Sequence, residues 1–338
     1  MKFLSDNTAP ATPEVLAAVQ AANRGAARAY GDDDWSRRLD AAFSNYFARP
    51  VRTFPVSTGT AANSLALATL TPPYGAIFAT DAAHVVHDEC GAVELQSGGA
   101  RITTLPAPDG RLDAEVLARA LDDTVVSVHS TQPAAVTITQ VTECGTVYRP
   151  AQIAALAAVA HARGLHLHMD GARFANALAS LGLPPAALTW QAGVDVLSFG
   201  ATKNGAINAE AVVFFKPDLV RDFELRRKRA AQLLSKMRYA SAQLLACLSG
   251  EFFATNAARA NALAARIAAV AGQRLMFPVE ANLLFLKLPA EEAASLRARG
   301  FEFYDWGPPR TGGTRFAVSW DQPESDVDAL CGALSAWN

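Results

Sequence analysis

At 338 residues the chain exceeds the span of one ordinary domain and can bury a large core, so a large domain with a smaller companion is expected. Apolar residues make up 51% and charged residues 18%, which excludes a disordered chain. Thirty Lys and Arg against 32 Asp and Glu leave a formal charge of −2, so no overall field favours nucleic acid or an anionic membrane and any anion site has to be local.

Met1-Lys2-Phe3-Leu4 runs straight into Ser5-Asp6-Asn7, without the apolar region of a signal peptide. The first chemical pattern is Ser57-Thr58-Gly59-Thr60-Ala61-Ala62-Asn63, which follows a short strand and opens an apolar helix over 61–70. A glycine, hydroxyls and the free N–H groups of a helix start make a phosphate cradle; taken alone, the pattern also describes an ordinary capped helix. Pro150 suits the first turn of a second helix, Ile153, Leu156, Ala157 and Ala160 recur on one face, and Gly164 can end it. The longest apolar stretch, around 153–160, falls far short of the ~18–20 residues that cross a bilayer. A cytoplasmic protein with no membrane and no nucleic-acid partner is expected.

Residues 165–169, 194–199 and 211–215 read as buried strands of a parallel sheet covered on both faces. His166, His168 and Asp170 fall two apart on the first of these, and Asp170-Gly171-Ala172-Arg173 leaves its C-terminal end, where open α/β sheets bind ligands. An Asp there can pair with a protonated ring nitrogen and an Arg can fork onto a carboxylate; a surface Asp–Arg pair beside a buried histidine has the same pattern. The second strand ends in Ser198-Phe199-Gly200-Ala201-Thr202-Lys203-Asn204-Gly205. A lysine among such small neighbours can be desolvated, which frees its amine for a Schiff base, whereas a solvated loop lysine stays charged.

Past Pro217 the texture changes to a charged segment, 221–229, read as a solvated or subunit-facing helix surface through Arg221, Arg226, Arg227, Lys228 and Arg229. Helices over 233–248 and 255–270 follow, then strands over 282–288 and 315–320 alternating with helices over 290–299 and 324–337. The division is a large domain, 1–238, and a small α+β domain, 239–338. Cys90, Cys144, Cys247 and Cys331 are scattered without zinc spacing and read as reduced core thiols.

A phosphate cradle, a strand-end Asp and a strand-end Lys in this order are what holding pyridoxal phosphate requires. With these pieces the chain resembles the threonine aldolases, pyridoxal-phosphate enzymes of the aspartate-aminotransferase fold class. The resemblance also rests on Ser5-Asp6-Asn7-Thr8, Tyr30-Gly31-Asp32-Asp33, Ala83-His84, Thr142-Glu143-Cys144-Gly145-Thr146-Val147-Tyr148, His168-Met169-Asp170-Gly171-Ala172-Arg173 and Met237-Arg238.

It implies fold type I: an α/β large domain with a mostly parallel central sheet flanked by helices. Lys203 would carry the cofactor aldehyde, Asp170 would face the pyridine nitrogen and His84 would stack on the ring. Gly59, Thr60 and Thr202 would hold the phosphate, with Arg173 also close to the cofactor. Ser5, Arg173 and Arg315 would grip the substrate carboxylate, and Arg238 would reach a neighbouring subunit's cofactor. The activity implied is cleavage of L-3-hydroxy-2-amino acids to glycine and an aldehyde, in a homodimer or homotetramer with shared active sites and with no metal. His84, or a water that it orients, would take the hydroxyl proton.

Family members carry a second histidine in a Thr-His-Asn run, where this chain reads Gln140-Val141-Thr142-Glu143. His129 and His87 remain as substitutes. An aminotransferase or β-eliminating lyase on the same fold is the nearest alternative. A nicotinamide oxidoreductase would need a G-x-G-x-x-G turn after an early strand, and the first third has none. A cofactor-dependent regulator would add a DNA-binding segment and a basic face.

Overall fold

The computed structural model describes residues 1–220, 222–307 and 313–337. Seven strands form the large sheet: β1 (Arg52–Val56), β2 (Gly75–Thr80), β3 (Arg101–Leu105), β4 (Gln132–Thr139), β5 (His166–Gly171), β6 (Val196–Gly200) and β7 (Glu210–Phe214). Their order is β1-β7-β6-β5-β4-β2-β3. β2, β6 and β7 are buried at every position. Alternate residues feed two cores, one on each face: Leu197, Phe199, Ala211 and Val213 on one side, Val196, Val212 and Phe214 on the other.

The expected parallel sheet holds from β3 through β6 and fails at β7, which runs antiparallel to both β6 and β1. The reason is the length of the link. Residues 201–209 are too few for a crossover, which takes a dozen or more, so the chain can only turn back. That reversal keeps Lys203 at the sheet's C-terminal edge.

Three antiparallel strands, β8 (Leu283–Lys287), β9 (Tyr304–Trp306) and β10 (Gly313–Ala317), make a small sheet in the order β8-β10-β9. Leu263 and Ile267 of the helix Phe252–Ala271 and Leu330 of the helix Glu324–Ser335 pack with Leu284 and Phe316 of this sheet. The N-terminus joins the same unit. Phe3 is fully buried in that cluster, donates its N–H to Glu302 O (2.8 Å) and accepts from Ala317 N (2.8 Å), which delivers Ser5 and Asp6 to the seam between the sheets.

Other expectations need correction. The helix expected from 233 begins at Arg238, because the preceding segment loops back so that Gln232 can bond Ser57. Within the helix Phe223–Arg229, Arg227 is buried and donates to Pro55 O (3.4 Å), so that helix is not a wholly solvated basic face; Arg221 lies outside the described residues. Cys144 and Cys247 are core thiols, whereas Cys90 is exposed and Cys331 only half-buried.

Candidate active site

Asp170 ends β5, and Lys203 lies in the turn Thr202–Asn204 just past the end of β6. Gly200 lets the two loops close up. A Cβ there would lie 2.7 Å from Ala172 Cα and O, so only glycine allows the lysine loop to rest on the segment after Asp170. Asp170 is nearly buried; its Oδ1 accepts from Ala172 N (2.9 Å) and its Oδ2 from Asn63 Nδ2 (2.8 Å).

Desolvation and then the Arg173 charge push the Lys203 amine below its ordinary pKa, against the pull of Asp6, Asp170 and Glu210. The neutral amine is the nucleophile, so the shift readies it for a carbonyl. Glu210, missed in the sequence, is a buried carboxyl on β7 that burial raises to about 7. It accepts from Ala201 N (3.0 Å) and from the Thr202 hydroxyl, so Thr202 is engaged there as well as being a candidate phosphate ligand.

The helix Gly59–Leu70 starts where β1 ends. Thr58 caps it by accepting from Ala61 N (3.1 Å), and Ala62 N bonds Thr58 O, which leaves the N–H groups of Gly59 and Thr60 without a partner among the described residues. A Cβ at Gly59 would meet nothing within 4 Å, so the helix start is open beside this glycine. Gln232 Oε1 steadies the approach by accepting from Ser57 N (3.0 Å) and Ser57 Oγ (2.8 Å).

At the seam, the turn Asp6–Thr8 packs on the turn that carries Lys203. Arg173 forks onto Asp6 through Nε (2.6 Å) and Nη2 (2.9 Å), and Asn282 Nδ2 adds a third bond (3.0 Å). Burial alone would raise the Asp6 pKa; Arg173 and Lys203 overcome it and hold the carboxyl at about 2. Ser5 caps the turn, its Oγ accepting from Asn7 N (3.2 Å). Arg315, on β10, donates from Nη2 to Leu4 O (3.0 Å) and stacks over Tyr304, while its Nε is buried without a partner among the described residues. Burial and then the Arg173 charge depress its pKa.

His84 opens the short helix His84–His87 after β2. Its Nδ1 meets Glu89 Oε1 at 2.9 Å and its backbone N–H donates to Glu143 Oε1 (2.8 Å), which also accepts from Thr139 Oγ1 (2.7 Å). Glu143, in the place of the missing second histidine, thus stands beside His84. Neither substitute joins it: His87 bonds Asp81 O on the surface, and His129 is exposed in a loop. His168 is a neutral strut between Thr137 and Ser198, pushed down to about 4 by burial. Arg238 is absent from the cluster within one chain; its guanidinium bonds Gly25 O (3.1 Å) and Tyr239 OH (3.3 Å).

A sheet whose C-terminal edge gathers a desolvated lysine, a buried aspartate, a helix start and two arginines defines a class of group-transfer and lyase enzymes. The beta-eliminating lyase family model matches residues 2–290, and the chain belongs to that family. Two proteins named low specificity L-threonine aldolase are similar to it. One, from Pseudomonas sp. strain NCIMB 10558, is 43% identical over 99% of this chain and 97% of its own; the other, from Pseudomonas aeruginosa, is 46% identical over 95% and 93%. A solved Leishmania major threonine aldolase superposes with a TM-score of 0.93 at 28% identity, covering 99% of both chains. Among the described residues no helix is long and apolar enough to cross a membrane.

Proposed function

We propose that the chain is a pyridoxal-phosphate-dependent aldolase, a carbon–carbon lyase that cleaves and reversibly forms the Cα–Cβ bond of L-3-hydroxy-2-amino acids such as threonine, allo-threonine or phenylserine. The products are glycine and an aldehyde. One observation carries the reading: the turn that holds Lys203 rests on the segment after Asp170 through Gly200 and packs on the Asp6–Thr8 turn that Arg173 grips, so the lysine meets the aspartate and the arginine at one sheet edge. The names of the similar proteins agree.

The residues fit the cofactor. Lys203 would hold its aldehyde, Asp170 its ring nitrogen, His84 the ring face, and Gly59, Thr60 and Thr202 its phosphate; the N–H groups of Gly59 and Thr60 at the helix start suit such an acceptor. Pyridoxal phosphate supplies an electron-poor ring that takes up the electron pair of the breaking bond. Ser5, Arg173 and Arg315 grip the substrate carboxylate, with Asp6 occupying Nε and Nη2 of Arg173 so that the guanidinium cannot swing away. His84 receives the hydroxyl proton, and protonation at Cα completes glycine.

The test is a panel of threonine, allo-threonine and phenylserine with the holoenzyme. Aldehyde and glycine are expected; keto acid instead identifies an aminotransferase. Lys203→Ala should abolish turnover and the absorbance of bound cofactor, and retention of both after cofactor stripping overturns the assignment. The same reading makes the working unit a cytoplasmic homodimer or homotetramer in which Arg238 serves a neighbour's site; an active monomer in light scattering refutes that part.

A further inference from the structure

Two buried carboxyls bracket His84 in different ways. Glu143 takes only the backbone N–H, so it cannot set the imidazole. Glu89 takes the ring: Oε1 lies 2.9 Å from Nδ1, the Glu89 side chain has no exposure and the His84 side chain keeps 41% of its own. Among the described residues Nε2 has no hydrogen-bond partner. The same Glu89 Oε1 accepts from Asn63 Nδ2 (2.8 Å), whose second hydrogen goes to Asp170 Oδ2 (2.8 Å). The reverse orientation of that amide would set a third oxygen against two carboxylates, so the fork is fixed by charge. Asn63 therefore separates two acids that repel each other and anchors Glu89 to the residue that faces the cofactor nitrogen.

We propose that Glu89 is a positioning residue for the aldol cleavage: by taking the Nδ1 hydrogen of His84 it fixes the tautomer in which Nε2 is bare and is the atom that removes the substrate's hydroxyl proton. Asn63 holds Glu89 in register for that task. This rests on the aldolase reading above. In the step, the proton passes from the β-hydroxyl oxygen to Nε2, the O–H pair becomes the carbonyl of the leaving aldehyde, and the Cα–Cβ pair is withdrawn on the Cα side. The Nδ1 hydrogen stays between His84 and Glu89, where the carboxylate stabilises the imidazolium that forms. The charged groups that face His84 are Glu89, Asp170 and Lys203 around the ring and Glu143 at its backbone. The Glu89 bond is the largest influence and raises the pKa of His84, against burial and Lys203.

The experiment pairs two readouts on holoenzyme. In histidine-15N spectra, with the His84 signal identified by its loss in His84→Phe, wild-type His84 should carry its hydrogen on Nδ1 at high pH. Glu89→Gln should move the tautomer balance and lower the His84 pKa, shifting the acid limb of kcat/KM by about one unit to lower pH. kcat should drop ~10-fold or more with KM little changed. Glu89→Asp should restore part of both. In a His84→Phe background, Glu89→Gln should cost nothing further, which a merely structural residue would not obey. A wild-type acid limb and tautomer in Glu89→Gln, or additive losses in the double variant, overturn the proposal. If Glu89→Gln fails to fold, the wild-type spectrum decides: a hydrogen on Nε2 refutes it, one on Nδ1 supports it. Wild-type enzyme that releases no aldehyde from the panel refutes the aldolase reading instead, whatever the tautomer.

Discussion

The two flanks of the site are built on opposite plans. The flank proposed to grip the carboxylate joins Ser5 and Asp6 of the N-terminus to Arg173, Asn282 and Arg315, and its acid is fully paired. The flank proposed to handle protons, His84, Glu89, Asn63, Glu143 and Asp170, comes wholly from the stretch between the end of β1 and the end of β5, and leaves Glu89 Oε2, Glu143 Oε2 and Asn63 Oδ1 buried without partners among the described residues. On this reading recognition is assembled by docking two sheets, whereas the proton chemistry sits along one edge of the large sheet. Mutations on the first flank should read out in binding and stability, and those on the second in rate.

His84→Phe breaks the contrast most sharply. It keeps a ring against the cofactor but removes the proton acceptor, so kcat should fall ~10²–10³-fold with KM nearly unchanged; an unchanged rate removes His84 as the base. Arg315→Ala acts on the other flank and should cost about 2 kcal/mol in kcat/KM, mostly through KM, in steady-state assays across substrate concentrations.

Asp6→Asn separates stability from chemistry. The folded pKa of about 2 lies below the ordinary 3.8, so the stabilisation is complete above 3.8 and is lost as pH falls through about 2. At neutral pH the variant should unfold about 2 kcal/mol more easily, and its melting curve should converge on the wild type near pH 2. A gap that persists in acid shows that the Arg173 fork is not its source. Thr58→Ala, the mildest change, should cost about 1 kcal/mol of helix capping and loosen cofactor retention in dialysis without altering the substrate flank.

Much of this was legible residue by residue. The small residues around Lys203, the Asp170 turn and the Thr58 cap are local patterns, and local patterns dictate local geometry. The carboxyl network was not legible, because Glu89 and Glu143 look like ordinary loop acids until β2 and β4 bring them to one imidazole. His87 and His129 were left as substitutes for the missing histidine, each more readily a structural or loop residue, and neither reaches His84; the acid near that place, Glu143, meets only the His84 backbone N–H.

The sequence by itself determined which side chains were able to do this chemistry and the strands whose ends would present them, since hydrophobic period and glycine placement act over a few residues. Only the tertiary structure decided that Phe3 stitches the N-terminus to the small sheet so Asp6 meets Arg173, and that one asparagine amide ties Glu89 to Asp170. Those contacts join residues far apart in the chain, and their energy exists only once burial has removed water from between them.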